Sequence, residues 1–124
     1  MMRCFNSAIE VDFGGQANAE VVAGRQYGGV GGQVDFLRAC SMVDDALSVM
    51  VLESTAASGS ISRIVPALPT RHVATATRYD VDAVVTEYGI AWLRDRTLGE
   101  RARNLAAISH PDFRDELEAA ARAC

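Results

Sequence analysis

The stretch Leu47-Ser48-Val49-Met50-Val51-Leu52 constrains the fold more than any other. It has the length of one strand and, Ser48 apart, is apolar on both sides of the pleat. A strand of this kind needs cover on both faces, as in a parallel sheet packed between other elements. Val81 to Thr86 predicts a second strand, entering a turn at Glu87-Tyr88-Gly89. Ile61 to Val65 alternates and stops at Pro66, with Pro69 prolonging the turn. Alternation from Ala8 to Phe13 predicts a half-buried strand, with Ile9, Val11 and Phe13 on one side and Glu10 and Asp12 on the other. Gly14-Gly15 breaks it, and His72 to Thr77 is a weaker strand candidate.

Helical spacing fills the gaps. Val34, Phe36, Leu37, Cys40 and Ser41-Met42 fall near the spacing of a helix that Asp44-Asp45 closes. Ile90 to Leu93 predicts a short helix, with Trp92 in the core. Thr97-x-x-Glu100 is a capping box for a helix whose Leu98, Ala102, Leu105 and Ile108 align. His110-Pro111 starts the last helix, with Phe113, Leu117, Ala120 and Ala121 as its buried stripe and Glu118–Arg122 as an i,i+4 pair. Strands alternating with helices predict an α/β domain, a mainly parallel sheet flanked by helices.

Composition narrows the function. The 124 residues suit one domain, and a net charge of −4 argues against nucleic acid as a partner. No apolar run approaches the ~20 residues of a membrane span, and Asn6, Glu10 and Asp12 break any secretory signal, so a cytoplasmic protein is expected. Cys4, Cys40 and Cys124 have neither disulfide-framework nor zinc spacing and read as free thiols. His72 and His110 are too far apart in sequence to advertise a metal site. All 12 basic residues are arginine, which excludes a Walker A lysine, a pyridoxal Schiff base and a lysine-borne swinging cofactor. A strand at the very start, with nothing capping it, suggests an internal cut.

The candidate site is the stretch Tyr27 to Phe36, with Gly28, Gly29, Gly31 and Gly32 ahead of a helix. Such glycines serve a flexible loop tip, or let backbone N–H groups approach an anion at a helix N-terminus. Glu10, Glu20 and Glu87 are candidate nucleophiles or bases, or else solvated carboxylates. Glu87 is the best placed, at a strand end where α/β sheets put ligands. Arg63, Arg71 and Arg78 offer anion contacts or surface ion pairs, and Asp80 with Asp82 would need further oxygen ligands to hold a metal.

Six ordered motifs then coincide: Asn6-Ser7-Ala8-Ile9-Glu10-Val11-Asp12, Gly15–Glu20, Gly29–Phe36, Ser62–Pro66, Thr86–Gly89 and Ala107–Arg114. Together they resemble the C-terminal domain of the acetyl-CoA hydrolase/transferase family, which includes 4-hydroxybutyrate, butyrate and succinyl-CoA:acetate CoA-transferases. The resemblance implies two similar α/β halves around an active site where a glutamate attacks an acyl-CoA thioester and becomes a glutamyl-CoA thioester. An acceptor carboxylate, or water, completes the cycle. It implies CoA contacts at Ile9 and Gly32, a loop shaped by Gly28 and Gly31, and structural roles for Gln33 and Asp35. The Gly32 N–H is expected to hold the thioester oxyanion. The nucleophilic glutamate is expected upstream of this chain, so no catalytic residue is assigned here. Coenzyme A or acyl-CoA is substrate, with no covalently bound cofactor and no metal. Expected partners are small carboxylates, the missing N-terminal half in cis or as a separate chain, and a second copy. A stand-alone CoA-binding module and an inactive remnant are the alternatives. Where the family often has Gly-Gly-Lys-Ser and Leu-Pro-Ser-Thr around the middle strand, this chain has Asp45–Ser48 and Leu52–Thr55.

Overall fold

A computed structural model describes residues 1–124. In chain order the elements are β1 (Arg3–Ser7), β2 (Glu10–Asp12), β3 (Ala17–Asn18), β4 (Val21–Val22), β5 (Arg25–Gln26), α1 (Gln33–Ser41), β6 (Leu47–Val51), β7 (Thr55–Ala56), β8 (Ile61–Ser62), β9 (Ile64–Val65), β10 (Ala83–Thr86), β11 (Gly89–Trp92), α2 (Leu98–Ala107) and α3 (Pro111–Ala121). The apolar run at Leu47 becomes β6, inside a four-stranded sheet of order β1-β6-β10-β11. Strands β1, β6 and β10 are parallel, and β11 returns antiparallel along β10. A smaller sheet, β3-β2-β9, lies in the same domain.

Register explains the core. Met50, Val84 and Ala91 pair across the main sheet, point to one side and are buried. On that side they join one apolar cluster with Leu37 of α1, Ala102 and Leu105 of α2, Leu117 of α3, and Val11 and Ile64 of the small sheet. The opposite side carries Phe5, Val51, Ile90 and Trp92, all exposed. Thr97 caps α2 in a reciprocal capping box with Glu100, and His110 with Pro111 opens α3, as the sequence predicts.

Several expectations are corrected. The strand predicted from Ala8 to Phe13 narrows to β2, because the chain bends at Ala8-Ile9 as it passes from β1 of the main sheet to the small one. Glu10 and Asp12 are buried rather than wet: Asp12 accepts from the Gly14 N (3.0 Å), Gln16 N (2.9 Å) and Gln16 Nε2 (2.8 Å). Ile61–Val65 likewise divides into β8 and β9, and His72–Thr77 makes only one bridge, Ala17 to Ala76. Ile90–Leu93 is strand, not helix. Gly89, at φ +143°, turns the chain back so that β11 closes the open side of β10, and pairing overrides local spacing. Trp92 is therefore 45% exposed rather than core. Leu98 is exposed too, and Glu118 makes no ion pair with Arg122. Cys4 and Cys40 are not free thiols: β1 and α1 pack side by side and a disulfide joins them, leaving Cys124 free. Their separation of 36 residues in sequence conceals that neighbourhood.

Candidate functional site

The carboxyl ends of β1, β6 and β10 open into a cleft of about 600 Å³. Its walls are Ser7-Ala8 after β1, Val51–Glu53 after β6, Val85–Glu87 after β10, and Arg63 between β8 and β9. This is where a parallel sheet places ligands, since each strand hands over to a loop there. Arg63 is the cation of the cleft, and its Nε is buried without a partner. Burial works to raise the Glu87 carboxyl, but the hydrogen bonds of Ser54, its N–H donating at 2.8 Å, together with the backbone of Glu87 and the charge of His110 outweigh it and hold the group below its ordinary range.

Beside the cleft lies the start of α1. Gln33 Nε2 donates to the Ser7 carbonyl at 2.7 Å, fastening the first helical turn to the end of β1. Gly32 occupies the N-cap and offers no side chain to accept from the first helical N–H groups. Those donors point out of an exposed loop with the polarity that attracts anions. A Cβ on Gly28, Gly29 or Gly31 would meet nothing within 4 Å, and one on Gly32 would make ordinary contact with Phe36 at 3.5 Å. Only Gly31, at φ +58°, needs glycine for its own backbone. The other three are not required by packing within this chain. Two buried polar atoms on the adjoining elements also lack partners, the Asn6 donor Nδ2 on β1 and the Gln33 acceptor Oε1 on α1.

The base of the loop is held by residues whose role the sequence did not reveal. Tyr27 N and Gly28 N both donate to the Glu20 carbonyl, at 2.6 and 3.1 Å. The Glu20 carboxylate accepts from Thr75 Oγ1 at 2.7 Å, so Glu20 is a tether and not a base. Asn18 Oδ1 accepts from the Glu20 and Val21 N–H groups, each at 3.0 Å. His72 bonds the Glu10 carboxylate through Nδ1, with Oε2 at 3.0 Å, and its Nε2 accepts from the Gly24 N–H at 3.2 Å. The hairpin β4–β5 that launches the glycine loop is thereby fastened to the small sheet. Distance in sequence hides this, because His72 lies 62 residues from Glu10.

The predicted site residues fall out as follows. Ile9 sits half-buried at the bend beside Ala8, its N–H donating to the Asn18 carbonyl at 2.7 Å. Gly28, Gly31 and Gly32 are exposed on the loop and do not line the cleft itself. Asp35 is exposed and makes no side-chain hydrogen bond, so only Gln33 of that pair fastens the loop. Asp82 is taken by Ser48 and Arg94, and Asp80 by Thr77 and Arg38, leaving neither to gather a metal. Arg78 stacks on Tyr79, and Arg71 is exposed and forms no ion pair. No helix is long and apolar enough to cross a membrane.

Residues 1–121 match the acetyl-CoA hydrolase/transferase C-terminal domain. The 4-hydroxybutyrate coenzyme A transferase of Clostridium kluyveri is 45% identical over 116 residues, covering 94% of this chain and 27% of that protein. The succinyl-CoA:cyclohexane-1-carboxylate CoA transferase of Geobacter metallireducens is 47% identical over 117 residues, with the same coverage of 94% and 27%. The crystal structure of RipA from Yersinia pestis superposes with a TM-score of 0.86 at 37% identity, covering 98% of this chain and 27% of that one. The chain thus spans about a quarter of the length of these relatives. On its sequence and its fold alike, it belongs to the acetyl-CoA hydrolase/transferase family, within that family's C-terminal domain.

Proposed function

We propose that this chain supplies the CoA-facing side of an acyl-CoA transferase or hydrolase centre, with the attacking glutamate on the upstream part of the enzyme. The observation that carries the reading is the bare N-terminus of α1. Its glycines are unexplained by internal packing, and it adjoins a cleft at the carboxyl ends of three parallel strands. In the reaction, the glutamate carboxylate adds to the thioester carbonyl, whose oxygen takes up negative charge. The Gly32 N–H donates to that oxyanion, an interaction strengthened as charge develops. Gly28 and Gly31 keep the loop clear for the thioester and its pantetheine arm, and Ile9 packs against CoA at the bend. The CoA thiolate leaves, returns to the acyl-glutamyl anhydride and releases the acid, giving the glutamyl-CoA thioester. Arg63 is the cation available to a small acceptor carboxylate in the cleft. A cytoplasmic setting accompanies this substrate class, and there Cys4–Cys40 faces a reducing pool. Alone, the chain carries no nucleophile for this cycle and is expected to be inactive.

Calorimetric titration of acetyl-CoA into the purified chain tests the reading, with Gly32→Asp beside the parent. Aspartate is a good N-cap residue, so the variant keeps or gains helix stability while placing negative charge at the proposed oxyanion position. Binding by the parent and at least a tenfold loss in the variant is the expected result. Equal affinity for the two would refute the loop assignment. Turnover of acetyl-CoA by the purified chain would refute the absent nucleophile. Binding that never leads to turnover with the upstream part supplied would leave the stand-alone module.

A further inference from the structure

We infer that the uncovered face of the main sheet, with the free edge of β1, is the docking surface for the upstream part of the enzyme. The inference rests on the reading above, in which that part completes the active site. Two rows of paired residues define the face: Phe5–Val49–Ala83–Trp92 and Ser7–Val51–Val85–Ile90. Phe5 is 66%, Ile90 55%, Trp92 45% and Val51 39% exposed. Val49 and Ala83 are buried yet take no part in the core cluster, which lies on the other side.

Handedness explains why this chain leaves the face bare. The connection from β1 to β6 runs through α1, and the one from β6 to β10 runs through the segment that carries β9. Both step in the same direction across parallel strands. Right-handed crossovers in one direction fall on one side of a sheet. Leu37 of α1 and Ile64 of β9 accordingly meet Met50 and Val84 in the same cluster. Covering the opposite face requires strand–helix units that step the other way, and these residues contain none. Parallel sheets are ordinarily covered on both faces, so an apolar face of this kind is an interface.

The upstream chain fits as occupant better than a second copy. The relatives carry roughly three-quarters of their length outside the matched C-terminal region, ample for strands and helices of that kind. Strand β1 pairs only with β6, so its outer edge is open to a further strand. Strands added beyond β1 and stepping away from it carry their helices on the bare face. The edge also adjoins the glycine loop, through the Gln33–Ser7 bond. Docking there brings the upstream chain next to the proposed CoA contacts.

The test compares identical substitutions in two settings. One is this chain by itself. The other is a chimera in which it replaces the matching C-terminal region of the Clostridium kluyveri transferase. Phe5→Arg and Ile90→Arg are made in both, with Met42→Arg and Tyr79→Arg as controls at other exposed sites (84% and 77%). In the isolated chain all four are expected to leave the melting temperature nearly unchanged. In the chimera the face variants are expected to lower it by about 5 °C or more, because an unpaired guanidinium is then buried, while the controls do not. Equal effects of face and control variants in the chimera would overturn the docking surface. So would a dimer of the isolated chain, seen by sedimentation, that the face variants alone disrupt. Failure of the functional reading looks different: a stable chimera, sensitive at the face, that neither binds nor turns over acyl-CoA.

Discussion

Removing His72 should cost far more stability than its place at the start of a weak strand candidate suggests. The side chains of His72 and Glu10 are only 12% and 9% exposed, and the Glu10 carboxylate faces Nδ1. Because Nε2 accepts from the Gly24 N–H, the ring carries its proton on Nδ1 and donates it to Glu10. His72→Ala leaves a buried carboxylate and the Gly24 N–H without this partner. Leaving a buried polar group without its partner typically costs about 1–3 kcal/mol, and more when the group is charged. We expect about 3 kcal/mol here, since Asn18 Nδ2 lies nearby, 3.4 Å from Nδ1, and can partly take over. Glu10→Gln retains an amide oxygen as acceptor and should cost about 1 kcal/mol. The double variant should then be more stable than the sum of the singles predicts, by about 1–2 kcal/mol. Urea unfolding followed by circular dichroism measures all three, and a 3 kcal/mol loss moves the midpoint by roughly 1–2 M. Hydrogen exchange adds a local readout, because the amides of Gly24, Tyr27 and Gly28 should exchange faster in His72→Ala. Additivity within about 0.5 kcal/mol would refute the coupling and the claim that this pair secures the base of the glycine loop.

Three further outcomes follow from the packing and the charges. Leu105 is fully buried in the core, so Leu105→Ala should destabilise by about 3 kcal/mol, lowering the melting temperature by roughly 10 °C. Reducing Cys4–Cys40 in a Cys124→Ser background frees a loop of 36 residues and should lower the unfolding free energy by about 3–4 kcal/mol, read as a urea midpoint that depends on reductant. Glu87 is held below its ordinary value of 4.5, so it contributes stability above the unfolded-state value that is lost as pH falls through the folded one. Glu87→Gln should therefore be less stable than the parent at neutral pH, with the gap closing below pH 4.5; a gap constant from pH 7 to pH 3 would contradict the Ser54 contact.

What could be read from the sequence was what local pattern determines. The apolar run at Leu47 gave a buried parallel strand, and Thr97 and His110 marked two helix starts through side chains that act within three residues. The six motifs, taken together, placed the family. Long-range pairing was not legible. Ile90–Leu93 has helical spacing, yet it becomes strand because β10 has an open side and Gly89 can make the turn. Glu10 and Asp12 looked wet because alternation reports which residues share a side, not what covers it. His72 and Arg63 gained their places only when residues far apart in sequence came together at the small sheet and the cleft. The site was legible as a glycine loop before a helix, while its support from Asn18, Glu20 and His72 was not.

The bond between Cys4 and Cys40 has a topological consequence for the glycine loop. Everything from the edge strand to the end of α1 lies inside a covalent ring that includes the hairpin, the loop and the helix start. Exposed loop tips are where a chain is most readily nicked, and Arg25, Tyr27 and Gly28 are exposed. A cut there opens the ring into a line but does not part the pieces. The fragment carrying β1 stays attached to the fragment carrying α1, in register for Gln33 to find Ser7 again. The loop can thus be severed at its most accessible point while the two elements that frame it remain one molecule.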